Sequence, residues 1–122
     1  MTLLKTPVSE IKLLLVEDDQ IILTMMSKAV EAEGFKLLGA TTNVVSAMES
    51  FKKNQPDVAI LDIDLGAGPT GIDLANKIRK INHRVGIVFC TSYKDIRFIK
   101  NESHYYPPAH YTFKKARYCQ FR

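Results

Sequence analysis

The sequence is poor in the features that mark several classes of protein. Its 122 residues include two cysteines, three histidines and no tryptophan. The cysteines form no disulfide framework and no metal-binding spacing, so we predict two free thiols in a reducing compartment. No apolar run approaches the roughly 20 residues that span a bilayer, and the N-terminal segment lacks the layout of a signal peptide. These absences predict a soluble, cytoplasmic protein that does not enter the membrane.

Length and composition suit one compact domain. Hydrophobic residues make up 46% of the chain and charged residues 25%, which is close to ordinary globular usage. The formal net charge of +4 comes from the part after Tyr93, where seven Lys or Arg face two acids. We interpret this part as a solvated edge and predict no direct nucleic-acid binding, because no known nucleic-acid-binding motif lies there.

Short apolar runs alternate with segments of helical periodicity along the chain. The runs end at polar residues, which is typical of strands buried on both faces of a sheet. Strands are predicted at 11–16, 35–40, 57–61, 85–90 and 110–113. Helices are predicted at about 20–33, between a cap at Thr42 or Asn43 and Pro56, around 72–81, and at about 94–100.

The alternation of strands and helices predicts an α/β fold. Parallel strands joined by right-handed crossovers place helices on both faces of one sheet, so we expect a doubly wound five-stranded parallel sheet. In such sheets, functional sites form outside the carboxyl ends of the strands, near the switch in strand order. The residues that follow the strands are therefore the candidate functional residues.

Chemically useful side chains follow four of the five strands. Clustered carboxylates without His or Cys suit Mg²⁺, which prefers oxygen ligands. A carboxylate can also act as a nucleophile and form an acyl phosphate, while an ammonium and a hydroxyl group neutralise the phosphoryl oxygens. The strand ends supply Glu17, Asp18 and Asp19, then Asp62 and Asp64, then Thr91 and Ser92, and finally Lys114.

These strand ends resemble the receiver domain of bacterial two-component response regulators. The resemblance extends from about residue 11 to 115 and implies a flavodoxin-like receiver fold that binds Mg²⁺. It also implies a sensor histidine kinase or a phosphotransfer protein as the partner. The matching segments are LLLVEDDQ (13–20), PDVAILDIDLGAG (56–68), TGIDLANKIR (70–79), VGIVFCTSYKD (85–95) and YTFKK (111–115).

The resemblance assigns a role to each candidate residue. It implies that Asp62 is the phosphoacceptor, that Asp18 ligates Mg²⁺ directly and that Glu17 acts mostly through water. The backbone carbonyl of Asp64 is the implied further metal ligand. The implied partners of the phosphoryl group and of the conformational switch are the Thr91 hydroxyl, the Lys114 ammonium and the Tyr111 ring.

The C-terminal part departs from the family in two ways. Lys115 stands where the family usually has proline, so we predict a trans peptide bond there. Eight residues follow Lys114, so the fifth helix is predicted to be short or missing. An uncovered apolar surface invites association, and we expect a homodimer through this side. The predicted organisation is an N-terminal extension at 1–10, the receiver at 11–115 and a tail at 116–122.

Two alternative functions remain open. The first is a degenerate receiver that acts as a protein interaction module without phosphorylation, which the Lys115 departure and the short tail favour. The second is a flavodoxin-like binding protein or enzyme with a nucleotide ligand. A nucleotide site would need a phosphate-binding loop after the first strand, whereas Glu17, Asp18 and Asp19 carry the opposite charge.

Overall fold

A computed structural model of the protein describes residues 7–91 and 111–114, with the backbone alone for Thr91 and for 111–114. A 3₁₀ turn at Val8–Glu10 precedes the sheet and lies within the predicted N-terminal extension. The strands are β1 (Lys12–Val16), β2 (Lys36–Thr41), β3 (Val58–Leu61), β4 (Gly86–Thr91) and β5 (Tyr111–Lys114). The helices are α1 (Gln20–Ala32), α2 (Val44–Asn54) and α3 (Gly71–Ile81).

The five strands form one parallel sheet in the order β2-β1-β3-β4-β5. This confirms the predicted doubly wound α/β fold. The chain leaves β1 toward β2 on one side and returns to β3 on the other, so the strand order switches between β1 and β3. At this switch Val16 pairs with Leu61.

Two apolar layers cover the two faces of the sheet. Leu14 and Val16 pack on one side with residues of α2 and α3. Leu13 and Leu15 pack on the opposite side with residues of α1. All four side chains of this run are at most 3% exposed. Burial on both faces explains why β1 is a continuous apolar run rather than an alternating one.

Side chains that precede the helices satisfy the backbone groups of their first turns. Asp19 accepts hydrogen bonds from the backbone N–H groups of Ile21 and Ile22. The Asn43 side chain accepts a hydrogen bond from the backbone N–H of Ser46 in α2. Of the two predicted caps, Thr42 and Asn43, the structure therefore uses Asn43. Thr70 and Asp73 form a reciprocal capping box at the start of α3. Since each helix follows the carboxyl end of a parallel strand, the N-termini of all three helices lie at the carboxyl edge of the sheet, and these caps fix where they start.

Some apolar residues of the predicted helices lie on the surface. Met25 is 42% exposed, Val45 is 70% exposed and Ile81 is 53% exposed. Ala47 and Leu74, both fully buried, complete the inner faces of α2 and α3 instead. The spacing identified the helices correctly, but it did not separate the buried residues from their exposed neighbours.

The prediction of a free thiol at Cys90 is wrong, because this fully buried residue of β4 is disulfide-bonded. Two cysteines without a spacing motif do not reveal a bond in the sequence. Cys119, the predicted helix at 94–100, the Lys115 peptide bond and the tail with its proposed association surface lie outside the described residues. Within the described part, no helix has the length and apolar character needed to cross a membrane.

Candidate functional site

The candidate site lies at the carboxyl edge of the sheet, where the strand order switches. Glu17 and Asp18 directly follow β1, and Asp62 directly follows β3. The two chain segments are joined by a hydrogen bond of 2.9 Å from the backbone N–H of Asp62 to the carbonyl of Val16. The sheet therefore brings acids from distant parts of the sequence side by side, as the sequence predicted for a site of this fold.

Three carboxylates converge at this edge. Each of Glu17, Asp18 and Asp62 has a carboxylate oxygen within 4.8 Å of an oxygen of the other two, and we call these residues the acid cluster. Glu17 is 1% exposed and Asp62 is 4% exposed, whereas Asp18 faces solvent. The cluster thus has two buried carboxylates and one exposed carboxylate beside them.

The environment of Asp18 disfavours its charged form. Partial burial raises the pKa of its carboxyl group above the usual 3.8, and a hydrogen bond and charge repulsion from Glu17 raise the pKa further. Repulsion from Asp64 adds a smaller effect in the same direction, while a backbone hydrogen bond opposes it. A cation placed among these oxygens would relieve the repulsion, since an opposite charge favours the ionised carboxylates.

The ligand atoms of the acid cluster fit a hard cation. The structure brings together three carboxylates, with no histidine or cysteine in the group. Oxygen ligands alone suit Mg²⁺ or Ca²⁺, and Mg²⁺ usually takes one or two carboxylates and keeps several waters. The exposed position of Asp18 leaves the cluster open to solvent, which suits a partly hydrated ion.

Asp19 belongs to the first helix rather than to the acid cluster. Its side chain caps α1, and its backbone N–H donates a hydrogen bond of 3.1 Å to Oε2 of Glu17. The cap fixes the start of the helix, and the second bond orients the buried Glu17 carboxylate. Asp19 therefore positions the cluster through the backbone.

The loop after Asp62 carries the other predicted ligand. Asp64 is exposed, and its Oδ1 accepts a hydrogen bond of 3.0 Å from the backbone N–H of Gly66. Gly66 has a φ of +84°, and a Cβ atom built on it lies 3.7 Å from Oδ2 of Asp18. The loop thus passes close to Asp18, while ligation by the Asp64 carbonyl stays a prediction.

Gly71 is a site residue that the sequence analysis missed. It is buried at the start of α3, and its N–H donates a hydrogen bond of 2.8 Å to the carbonyl of Ile63. A Cβ atom built on Gly71 overlaps the carbonyl oxygen of Asp62 and lies 2.8 Å from its carbonyl carbon. A glycine at the start of a helix that follows the loop after Asp62 was the available sequence signal.

The backbone places two of the remaining candidates, Thr91 and Lys114, at the same edge of the sheet. Thr91 is the last residue of β4, and Lys114, its register partner, is the last residue of β5. Tyr111 begins β5 and pairs with Val88. The side chains of these three residues lie outside the description, so their roles stay predictions.

Comparison with known proteins identifies the same family along most of the chain. The profile of the response regulator receiver domain matches residues 13–104. The chemotaxis protein CheY of Thermotoga maritima is 28% identical over 81 residues, which cover 66% of this chain and 67% of that protein. Sporulation initiation phosphotransferase F of Bacillus subtilis is 25% identical over 89 residues, which cover 73% of this chain and 70% of that protein.

Longer regulators match as well. The sensory transduction protein LytT of Bacillus subtilis is 27% identical over 84 residues, or 68% of this chain, but these are 34% of LytT. The chain therefore spans about a third of the length of that relative.

Solved structures show the same architecture. The response regulator TrrA of Thermotoga maritima, solved in complex with Mg(2+)-BeF, has a TM-score of 0.73 and 25% identity, with 87% of each chain covered. A response regulator receiver domain protein from Clostridium thermocellum has a TM-score of 0.75 at 22% identity, covering 86% of this chain and 82% of that one. With a family profile that matches well over half of its residues, the chain belongs to the response regulator receiver domain family.

Proposed function

We propose that this chain is an active receiver in which Asp62 accepts a phosphoryl group from the phosphohistidine of a histidine kinase or a phosphotransfer protein. One observation carries the proposal: the buried Asp62 carboxylate lies within 4.8 Å of two other carboxylates at the strand switch of a receiver-family chain. A buried carboxylate in an apolar core needs compensating partners, and a bound cation supplies one. The similarity to a sporulation phosphotransferase supports a role in phosphoryl transfer.

The proposed cation is Mg²⁺. Asp18 and Asp62 would hold it directly, Glu17 mostly through water, and Asp64 through its backbone carbonyl. When bound, Mg²⁺ supplies positive charge that offsets the charge of the acid cluster and of the incoming phosphoryl group. The structure of TrrA with Mg(2+)-BeF supports this choice of ion.

Each of the remaining site residues has one role in phosphoryl transfer or in the conformational switch that follows it. The Asp62 carboxylate attacks the phosphorus atom in line, and the bond from phosphorus to the donor nitrogen breaks. The Lys114 ammonium pairs with a phosphoryl oxygen, and the Thr91 hydroxyl moves toward another. Tyr111 fills the space that Thr91 leaves. This change biases a two-state surface around β5 and the predicted fourth helix, which a partner reads.

The proposed chemistry is confined to the chain itself. Phosphoryl transfer to Asp62 and its later hydrolysis are self-directed, and no other substrate is turned over. The cytoplasmic location also stays a prediction.

The test is the intact mass of the protein after incubation with acetyl phosphate and Mg²⁺. We expect the wild type to gain one phosphoryl group, and we expect Asp62→Asn and a chelated sample to gain none. Asp57→Asn is the matched control: it lies just before β3, at the opposite end from Asp62, and accepts a hydrogen bond from the N–H of Lys12. The control should be phosphorylated like the wild type.

Two results would count against the proposal. Phosphorylation of Asp62→Asn equal to that of the wild type would assign the acceptor to another residue. A wild type that gains no phosphoryl group under any condition would favour the degenerate receiver, a module that binds partners without phosphorylation. In that case the first explanation to test is the replacement at Lys115, next to Lys114, of the proline that the family usually has.

A further inference from the structure

The backbone on either side of the Asp62 side chain is held by two neighbouring elements. On one side, its N–H donates to the carbonyl of Val16 in β1 at 2.9 Å. On the other side, Gly71 at the start of α3 contacts its carbonyl, and the Gly71 N–H bonds to the carbonyl of the next residue, Ile63, at 2.8 Å. The peptide that carries the Asp62 carboxylate is therefore clamped between a strand and a helix.

Gly71 is required at this place by space and not by backbone conformation. Its φ is not among the positive values, which occur at Gly34, Gly66 and Gly68. A Cβ atom built on Gly71 overlaps the Asp62 carbonyl oxygen, and it lies 2.8 Å from the carbonyl carbon and 3.0 Å from the Cα of Ile63. All three atoms belong to the backbone, so no rotation of a side chain can make room.

The packing of α3 determines whether the helix or the Asp62 peptide moves when a side chain is added at position 71. Ile72, Leu74, Ala75 and Ile78 of α3 are at most 1% exposed, so the helix has little room to retreat from the sheet. Asp62 and Ile63 are also buried, at 4% exposure each, but they are followed closely by a loop whose residues 66–69 are exposed. An added side chain at position 71 should therefore displace the Asp62 peptide more than it displaces the helix.

We propose that Gly71 is a positioning residue: its bare Cα lets α3 close on the Asp62–Ile63 peptide, and this closure holds the Asp62 carboxylate in the acid cluster. The inference rests on the proposed function, because the carboxylate is positioned for metal binding and phosphoryl transfer. A shift of about 1 Å in a reacting group can cost about 100-fold in rate. Even a partial displacement of Asp62 should therefore be measurable.

Gly39 provides a matched control. A Cβ atom built on it overlaps Oγ of Ser50 and lies 3.2 Å from a methyl carbon of Leu14. Gly39→Ala thus introduces a clash in β2 away from Asp62, but against side chains of α2 and β1, which can rotate to make room. It controls for an added methyl group in the sheet, and the unfolding temperatures of both variants separate a loss of stability from a loss of Asp62 positioning.

The experiment compares wild type, Gly71→Ala and Gly39→Ala at a temperature where circular dichroism shows each to be folded. The Mg²⁺ affinity is followed by amide chemical shifts, since the chain has no tryptophan. The phosphorylation rate is followed by intact mass with acetyl phosphate. We expect Gly71→Ala to lose about tenfold or more in rate and to bind Mg²⁺ more weakly, with Gly39→Ala within about twofold of wild type.

The inference is overturned if a folded Gly71→Ala protein keeps the wild-type rate and Mg²⁺ affinity, or if Gly39→Ala loses as much as Gly71→Ala does. A wild type that neither binds Mg²⁺ nor accepts a phosphoryl group removes the proposed function itself, and the inference with it. An active wild type beside an unaffected Gly71→Ala protein removes the inference alone.

A second pair of variants keeps the test decisive if Gly71→Ala does not fold. Thr70→Ala removes the capping box that anchors the first turn of α3, while Asn43→Ala removes the cap of α2. Both lose one cap, but only Thr70 adjoins Gly71. We expect the phosphorylation rate of folded Thr70→Ala to fall severalfold below that of folded Asn43→Ala, and equal rates would overturn the inference.

Discussion

Asp18→Asn removes one negative charge from the acid cluster while nearly preserving the shape of the side chain. The pKa of Asp18 is raised in the folded protein by partial burial and by its neighbour Glu17. A raised carboxyl pKa means that this group favours the folded state below the unfolded pKa and that the benefit is lost as the pH rises through the folded pKa. At neutral pH the ionised Asp18 therefore opposes folding, and we expect Asp18→Asn to stabilise the metal-free protein.

The expected size follows from the geometry of the cluster. Two unit charges at the 4.8 Å limit of the cluster repel by about 3.5 kcal/mol at an effective dielectric constant of about 20. Asp18 is exposed, and solvent screening reduces such a pair to about 1 kcal/mol or less. For a domain of this size, that energy raises Tm by about 3–5 °C.

Thermal unfolding followed by circular dichroism, with a chelator and with Mg²⁺, tests both the repulsion and the metal site. In chelator, Asp18→Asn should unfold at the higher temperature. Mg²⁺ at about ten times its Kd should stabilise the wild type by about 1.4 kcal/mol and the variant by much less, so the order should reverse. Glu49→Gln is the control for removing an exposed acid, since it lies on α2, and it should respond to Mg²⁺ like the wild type.

The reasoning would be refuted by a variant that is less stable than the wild type in chelator. That result would mean that the Asp18 carboxylate stabilises the metal-free fold. Equal stabilisation of both proteins by Mg²⁺ would refute the metal assignment of Asp18 separately.

Three further predictions follow from the site. Lowering the pH from 7 toward the raised pKa of Asp18 should weaken Mg²⁺ binding, because protons compete for its carboxylate; titrations that give one Kd at both ends of this range would contradict this. Thr91→Ala should still be phosphorylated but should show a smaller gain in partner affinity on phosphorylation; a full gain would exclude Thr91 from the switch. Light scattering at micromolar concentration should detect a dimer, and a monomer would contradict association through the predicted uncovered side.

The sequence allowed the topology and the positions of the acids to be predicted for a physical reason. A strand buried on both faces has to be apolar at every position, so the charges that follow Val16 and Leu61 mark where the strands end. Parallel strands then bring those ends to one edge. The register pairs Val16 with Leu61 and Leu61 with Phe89. Thr91, two residues after Phe89, therefore ends β4 at the same edge as the acids.

The properties that depend on tertiary packing could not be predicted. Glu17 and Asp18 are adjacent in sequence, yet one is buried and the other faces solvent. Val45 and Ile81 are apolar and exposed, because the contacts of α2 and α3 are made by other residues. The spatial requirement at Gly71 comes from a carbonyl nine positions earlier, so the sequence signals it only by placing a glycine at the start of the helix after the Asp62 loop.

The acid cluster is more easily explained by function than by stability. A core that only had to be stable would not bury Glu17 and Asp62 with a third carboxylate within 4.8 Å, since each added charge has to be compensated. The fold nevertheless holds these groups firmly: the Asp19 backbone orients Glu17, and β1 and α3 hold the Asp62 peptide from both sides. Rigid support around an unfavourable cluster of charge is the arrangement that the proposed binding of a cation and a phosphoryl group would need.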